Sequence, residues 1–170
     1  APTSVSPDGT MLAIFGSAST EDIWVSRTDG TGLRRLNEDA HRDRVPMWID
    51  DNELLFYSSR SGKYQAWSIR KDGSGLTQLT SSKESLTLAI QDPAGRRVWA
   101  FAAGFTYTFP LGQKTPQVPV AMPLIKVEGG FLRVNAVTRD ARRLAGLGLS
   151  PAGARLGVGW HNLETGETWI

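Results

Sequence analysis

Cysteine is absent from the 170 residues, which removes disulfides, thiolate nucleophiles and cysteine-ligated zinc. It leaves the compartment open, since many periplasmic proteins also lack cysteine. Only two histidines occur, His41 and His161, with no His-x-x-x-His or similar spacing, so the sequence offers no support for a metal site. No apolar run approaches the roughly 20 residues that a membrane-spanning helix needs. No run of five like charges occurs either, and the net charge is only +2. Lys and Arg are scattered, with short pairs at Arg34-Arg35, Arg96-Arg97 and Arg142-Arg143, whereas nucleic-acid binders concentrate them on one element. Nucleic acid is not an expected partner. The first residues, Ala1-Pro2-Thr3-Ser4, include neither Met nor a signal peptide, as expected of a trimmed or processed chain.

What is present points to sheet. Apolar residues make up 40% and charged residues 21%, which suffices for a hydrophobic core. Eighteen Gly and nine Pro imply many turns, and six Trp favour strands and packed sheet faces. The expectation is an all-β protein.

An internal repeat organises the rest. Asp22-Ile23-Trp24-Val25 followed by Asp29-Gly30-Thr31-Gly32-Leu33 and Leu36 matches Gln65-Ala66-Trp67-Ser68 followed by Asp72-Gly73-Ser74-Gly75-Leu76 and Leu79, with every landmark 43 residues apart. Upstream, Ser6-Pro7-Asp8-Gly9 and the run Met11–Phe15 align at the same offset with Ile49-Asp50-Asp51-Asn52 and Leu54–Tyr57. A third copy starts at Asp92-Pro93-Ala94-Gly95 before Val98–Phe101, and a fourth at Thr138-Arg139-Asp140-Ala141 before Leu144-Ala145. Blade-like repeats are therefore expected at approximately 1–43, 44–86, 87–130 and 131–170.

Each copy reads as four short strands. In the first, a strand ends near Val5 and a Pro-Asp-Gly turn follows. Residues 11–15 form a second strand, a polar loop spans Gly16–Glu21, and residues 22–27 form a third. An Asp-Gly hairpin then leads to a short outer strand at Leu33–Leu36. Met11–Phe15 and Val98–Phe101 are apolar throughout rather than alternating, as befits strands covered on both faces. Four-stranded units of this length, shielded by their neighbours, describe β-propeller blades; a β-sandwich is the rival. About four antiparallel sheets are expected, as part of a six- or seven-bladed propeller. Incomplete blades would leave end faces open to self-association.

Ser6-Pro7-Asp8-Gly9, the apolar strand, Asp22-Ile23-Trp24-Val25 and the Asp29–Leu36 hairpin closely resemble the WD40-like repeat of TolB-type propellers. The match is good over residues 5–80, where Trp48 takes the place of that pattern's Trp. The third copy is degenerate, with Pro110 and Gly112 at the hairpin and Pro116, Pro119 and Pro123 after it. The fourth resembles degenerate blades of bacterial proteins in which such a propeller follows a kinase or regulator domain. The resemblance implies a bacterial propeller that binds a protein or peptide partner. The expected compartment is periplasmic or otherwise extracytoplasmic, the alternative cytoplasmic.

No catalytic constellation is left over. Asp8, Asp51, Asp140, Asp29 and Asp72 sit in turns, where a carboxylate accepts nearby backbone N–H groups. Asp50 and Asp51 are adjacent on extended chain and cannot flank one glycosidic bond. Gly148-Leu149-Ser150-Pro151-Ala152 lacks the helix that a nucleophile elbow needs, and Ser150-Pro151-Ala152-Gly153 copies the repeat's turn. Trp48, Leu88 and Ala89, near the innermost strands, do not supply the His, Glu or Lys of a sugar-processing channel. Trp24 and Trp67 recur at the blade period, as packing between blades requires.

What remains is geometry. Loops joining successive blades, and those between second and third strands, gather on one side of a propeller. They carry His41, Arg42, Asp43, Arg44, Arg60, Lys63 and Lys83. His41, Arg42, Arg44, Arg60 and Lys63 are the expected binding residues, forming a mildly basic rim for an acidic partner. No catalytic residue, metal or cofactor is expected. The function expected is a non-catalytic scaffold or sensor module. The alternative is the gating propeller of a larger, prolyl-oligopeptidase-like serine hydrolase whose triad lies outside these residues.

Overall fold

The computed structural model describes residues 4–16, 21–92, 97–113, 115–138 and 140–170. The Pro93-Ala94-Gly95 turn, Arg96, Arg139 and most of the Gly16–Glu21 loop lie outside them. Among the described residues every regular element is a strand, and the strands form four antiparallel sheets. The first sheet is β1 (Ser4–Val5), β2 (Met11–Phe15), β3 (Ile23–Arg27) and β4 (Arg34–Arg35). The second is β5 (Asp43–Trp48), β6 (Glu53–Ser58), β7 (Gln65–Arg70) and β8 (Thr77–Gln78). β9 (Leu88–Gln91), β10 (Arg97–Ala102), β11 (Phe105–Pro110) and β12 (Val120–Ala121) make the third. The fourth contains β13 (Lys126–Val127), β14 (Gly130–Val137), β15 (Arg143–Leu149), β16 (Arg155–Asn162) and β17 (Thr168–Trp169).

These strands group into two compact units, one of Ala1–Thr87 with Gln113–Val118, the other of Leu88–Gly112 with Pro119–Ile170. In the first unit the Asp-Gly hairpins repeat in atomic detail. Arg27 N–H donates to Thr31 O at 2.9 Å and Arg70 N–H to Ser74 O at 2.9 Å. Gly30, Gly32, Gly73 and Gly75 all take the positive φ that the turn requires.

The 43-residue offset slips by one residue on β2 and β6. Met11 pairs with Arg27, but Glu53, not Leu54, pairs with Arg70. The turn before β6 is one residue shorter, closing from Ile49 N–H to Glu53 O where the first copy closes from Ser6 N–H to Met11 O. Without a Pro-Asp-Gly sequence, Ile49–Asn52 reaches the same strand by a tighter path.

Alternation of side chains along paired strands gives each sheet two faces. On the first sheet Met11, Ala13, Phe15, Ile23 and Val25 share one face, called front here, while Leu12, Ile14 and Trp24 share the back. On the second, Leu54, Phe56, Trp67 and Ile69 form the back. The front of the first sheet packs against the back of the second in one core that also takes in Trp48 and Leu36. Trp48 Nε1–H donates to Ser4 O at 3.1 Å, pinning β5 to β1.

Burial on both flanks, expected for every central strand, is met by β6, where Leu54, Leu55, Phe56 and Tyr57 are all buried. It is not met by β2. Only Ala13 is fully buried there, while Leu12 and Ile14 are half-buried, because within this unit only one face of the first sheet has a neighbour.

In the second unit Trp99, Ile125, Leu132, Val134 and Leu144 form the core. The fourth sheet has five strands instead of the expected four. β13 is added by a hairpin at Glu128-Gly129 that has no counterpart in the repeat. The degenerate third copy also departs from the pattern. The chain between β11 and β12 detours into the first unit, where Gln117 bridges Thr80 in parallel.

Candidate functional site

The loops that carry the expected binding residues are held by hydrogen bonds across the first unit. Asp43 N–H donates to Glu21 O at 2.5 Å, Ser59 N–H to Arg42 O at 3.1 Å, and Leu86 N–H to Tyr64 O at 2.9 Å. Three connections, at 36–42, 59–64 and 79–87, are thereby brought to one side of the two sheets.

Arg60 is the centre of this face. Its Nη2 lies 2.7 Å from Asp43 Oδ2 and 3.2 Å from Asp39 Oδ2, and its Nε–H donates to Ser58 Oγ at 2.7 Å. The guanidinium stacks over Trp67, 5.1 Å from the ring centroid, and sits 5.9 Å from that of Phe56. Its side chain is only 8% exposed, and Asp43 is fully buried. Asn37 Nδ2–H also donates to Asp43 Oδ2. Burial pushes the Asp43 carboxyl above its ordinary range against hydrogen bonds from Ser58 and Arg60, and the Asp39 charge adds to the rise.

Arg44 is paired as well, nearer the surface. It grips Glu21 through two bonds, Nε–Oε2 at 2.6 Å and Nη2–Oε1 at 2.8 Å, and its guanidinium lies 5.0 Å from the Tyr64 centroid. The Arg44 hydrogen bond holds the Glu21 carboxyl below its usual range. A bulge between Arg44 and Met47 interrupts the β5 ladder. Val45 follows Arg44 with φ of 53°, a left-handed conformation that strains a β-branched residue.

Two of the five expected residues thus form the ion-pair frame of the face. The other three present side chains outward. His41 and Arg42 are exposed on a loop fixed by Asp39 Oδ1, which accepts from His41 N–H at 2.8 Å, and by Ser59 Oγ, which accepts from Arg42 N–H at 3.0 Å. Lys63 is exposed and reaches Lys83 O through Nζ. Beside it lies a polar cleft of about 330 Å³ lined by Ser61, Gly62, Lys63, Gln65, Ser81 and Gln78, among others.

Glu21, Asn37, Asp39 and Tyr64 escaped the sequence reading, which placed Asp43 on the loops but gave it no role. The signal available for Asp39 and Asp43 was their place among the cations, since buried guanidinium groups need carboxylate partners. Glu21, 23 residues from Arg44, carried no signal.

The turn aspartates do what turn chemistry requires. Asp8 accepts from Thr10 N–H at 3.0 Å, Asp29 from Thr31 at 2.8 Å, Asp72 from Ser74 at 2.8 Å and Asp140 from Arg142 at 3.1 Å. Asp50 accepts from Asn52 N–H at 2.7 Å, while Asp51 serves the other sheet by accepting from Asp8 N–H at 2.9 Å. Ser150 Oγ accepts from Ala154 N–H at 3.1 Å inside its turn. His161 Nδ1 lies 2.8 Å from Thr168 Oγ1. Among the described residues no group of three or more His, Asp or Glu is placed to hold a metal ion.

Over 95 residues the chain is 30% identical to an uncharacterized protein of Agrobacterium fabrum, covering 55% of this chain and 32% of that one. No family model matches. Among solved structures it superposes on TolB from Acinetobacter baumannii with a TM-score of 0.73 at 14% identity, over 99% of this chain and 42% of that one. For a putative TolB from Agrobacterium tumefaciens the TM-score is 0.60 at 23% identity, over 65% and 46%. The fold is that of TolB-type β-propeller blades. A puromycin-hydrolyzing peptidase of Mycobacterium tuberculosis matches with a TM-score of 0.73 at 15% identity, over 98% of this chain and 27% of that one. The chain therefore spans less than half the length of each of these relatives.

Proposed function

We propose that this chain is a non-catalytic propeller module that captures an acidic protein or peptide segment on the loop face of its first two blades. The observation that carries this reading is the division of labour among the cations. Arg60 and Arg44 are spent on a rigid frame with Asp43, Asp39 and Glu21, while His41, Arg42 and Lys63 point outward from loops fixed by that frame. Preorganised loops lower the ordering cost of binding, and exposed cations steer an acidic segment toward the face. An extracytoplasmic location belongs to the same proposal.

The test is fluorescence anisotropy with a labelled Glu/Asp-rich decapeptide and a Lys/Gln-rich control. Binding of the acidic peptide is expected to weaken about tenfold on combining Arg42→Glu with Lys63→Glu, and to fall steeply with salt. Equal affinity in the double variant would dismiss this face.

A second reading has an observation of its own. The M. tuberculosis peptidase and prolyl oligopeptidase B from Galerina marginata, the latter with a TM-score of 0.65, each match nearly all of this chain over about a quarter of their own length. Under that reading these blades gate a hydrolase. The sequence of the intact polypeptide decides it, by whether a Gly-x-Ser-x-Gly motif with a later His lies beyond Ile170.

A further inference from the structure

The β13–β14 hairpin, which has no counterpart in the repeat, divides its side chains between two sides. Ile125 is buried and Val127 packs against the core of the second unit, while Leu124 and Lys126 alternate with them and are exposed. Phe131 pairs with Lys126 across the hairpin and so stands beside it on the same side. The other wall is the β10–β11 turn, Ala103-Gly104, with φ of 49° and 85°. A Cβ on Gly104 would meet nothing within 4 Å, so the turn leaves open space next to Phe105.

Between these pieces lies a cavity of about 490 Å³, walled by Phe105, Leu124, Phe131 and Pro151, with Lys126 as the charged residue of its lining. It lies wholly within the second unit. Phe105 is 41% and Leu124 42% exposed, so both rings and branches are left with apolar surface to cover. A concave apolar wall with one placed polar group is the make-up of a ligand site, and the volume falls in the usual range of roughly 300–1,000 Å³. Lys126 enters none of the ion pairs found among the described residues, and no carboxylate is in the lining. An unpaired ammonium at the edge of an apolar hollow is complementary to an anion joined to an apolar group.

We propose that this cavity holds the C-terminal residue of a partner polypeptide that ends in a large apolar side chain. Side chain and terminal carboxylate hang from the same Cα, so one residue fills the hollow and reaches Lys126. No second anchor is needed. This goes beyond the loop-face reading and stands independently of it, since His41, Arg42 and Lys63 take no part.

Nitrogen-15 NMR titration with acetyl-Ala-Ala-Phe, as the free acid and as the C-terminal amide, tests the proposal. The acid should shift the backbone amides of Gly104 and Gly130, both in the cavity wall, with a dissociation constant below roughly 1 mM. The amide should bind about fivefold more weakly, the worth of an exposed ion pair. Lys126→Gln should erase that difference. Phe105→Ser, at an exposed position, should weaken both peptides about tenfold. The dispersion of each spectrum shows whether the variant is folded; should Phe105→Ser fail, Leu124→Ser takes its place. The Arg42→Glu, Lys63→Glu double variant should bind the acid as wild type does, which keeps this test separate from that of the loop face. No saturable shift, shifts confined to residues elsewhere, equal affinity for acid and amide, or a Lys126→Gln protein that still prefers the acid would each overturn the proposal.

Discussion

Arg60 Nη2 and Asp43 Oδ2 lie 2.7 Å apart beneath the loop face, both removed from water. A guanidinium 8% exposed and a carboxylate fully buried hold each other in place, and removing Arg60 takes away the counter-charge of Asp43. Arg60→Ala is therefore expected to cost about 3–5 kcal/mol. The replacement leaves Asp43 uncompensated and uncovers the rings of Trp67 and Phe56. Urea denaturation of the variant measures the loss. A cost under about 1 kcal/mol, the range of exposed pairs, would contradict the buried geometry.

Arg44 and Glu21 make the opposite case. Their bonds are as short, but the side chains are 39% and 20% exposed, so solvent screens the pair. Glu21→Gln should cost about 1 kcal/mol or less, and added salt should shrink the difference from wild type. The same denaturation experiment at low and high salt checks both statements.

Acid should destabilise the protein in a predictable direction. Hydrogen bonds hold the carboxyls of Asp8, Glu21, Asp29, Asp72 and Asp140 below their ordinary values. Each contributes stability that is complete above the unfolded-state value of about 4 and is lost as pH falls through the lower folded-state value. Asp43, raised by burial, works the other way: its ionisation as pH rises from about 4 weakens the folded state. With five groups against one, the thermal midpoint should fall steadily between pH 5 and pH 2. Asp8→Asn and Glu21→Gln should each flatten that fall, and a midpoint indifferent to pH would refute the assignment.

Trp24 and Trp67 occupy equivalent repeat positions but should respond differently to truncation. Trp67 packs into the core between two sheets and carries Arg60 on its ring, so Trp67→Ala should cost about 3–5 kcal/mol. Trp24 lies on the back of the first sheet, and Trp24→Ala should cost about 1–2 kcal/mol in dilute solution, near the middle of the range for single substitutions. Thermal unfolding of the two variants at low concentration makes the comparison.

Gly146 is fixed by crowding. A Cβ there would stand 1.9 Å from Arg133 O on the neighbouring strand, where the β14–β15 ladder shifts register. Gly146→Ala should cost about 1–3 kcal/mol from overpacking. Gly157→Ala meets only the Ile170 side chain, which can move, and should cost less. Denaturation midpoints of the pair settle the order.

The hairpins were legible before any coordinates. Asp29-Gly30-Thr31-Gly32 and Asp72-Gly73-Ser74-Gly75 encode their turns through local carboxylate bonds and positive-φ glycines, which need no information from distant chain. The central strands were legible because apolar runs mark them. Less visible was anything that depends on what lies opposite. The sequence reading grouped His41, Arg42, Arg44, Arg60 and Lys63 as equal members of a rim, since loop cations all look alike in one dimension. The one-residue shortening before β6 was equally hidden, because identical strands can be reached by turns of different length.

Repetition at 43 residues, oily central strands and Asp-Gly turns by themselves determined that this chain would make propeller blades, because those signals act within a few residues of where they are written. Only the tertiary structure decided that Arg60 belongs beneath the surface with Asp43, that Arg44 belongs to Glu21, and that Trp24 and Trp67 face different fates. Each of those outcomes depends on which chain segments meet in space, and burial, which sets the strength of a charge pair and the value of an aromatic ring, exists only once they have met.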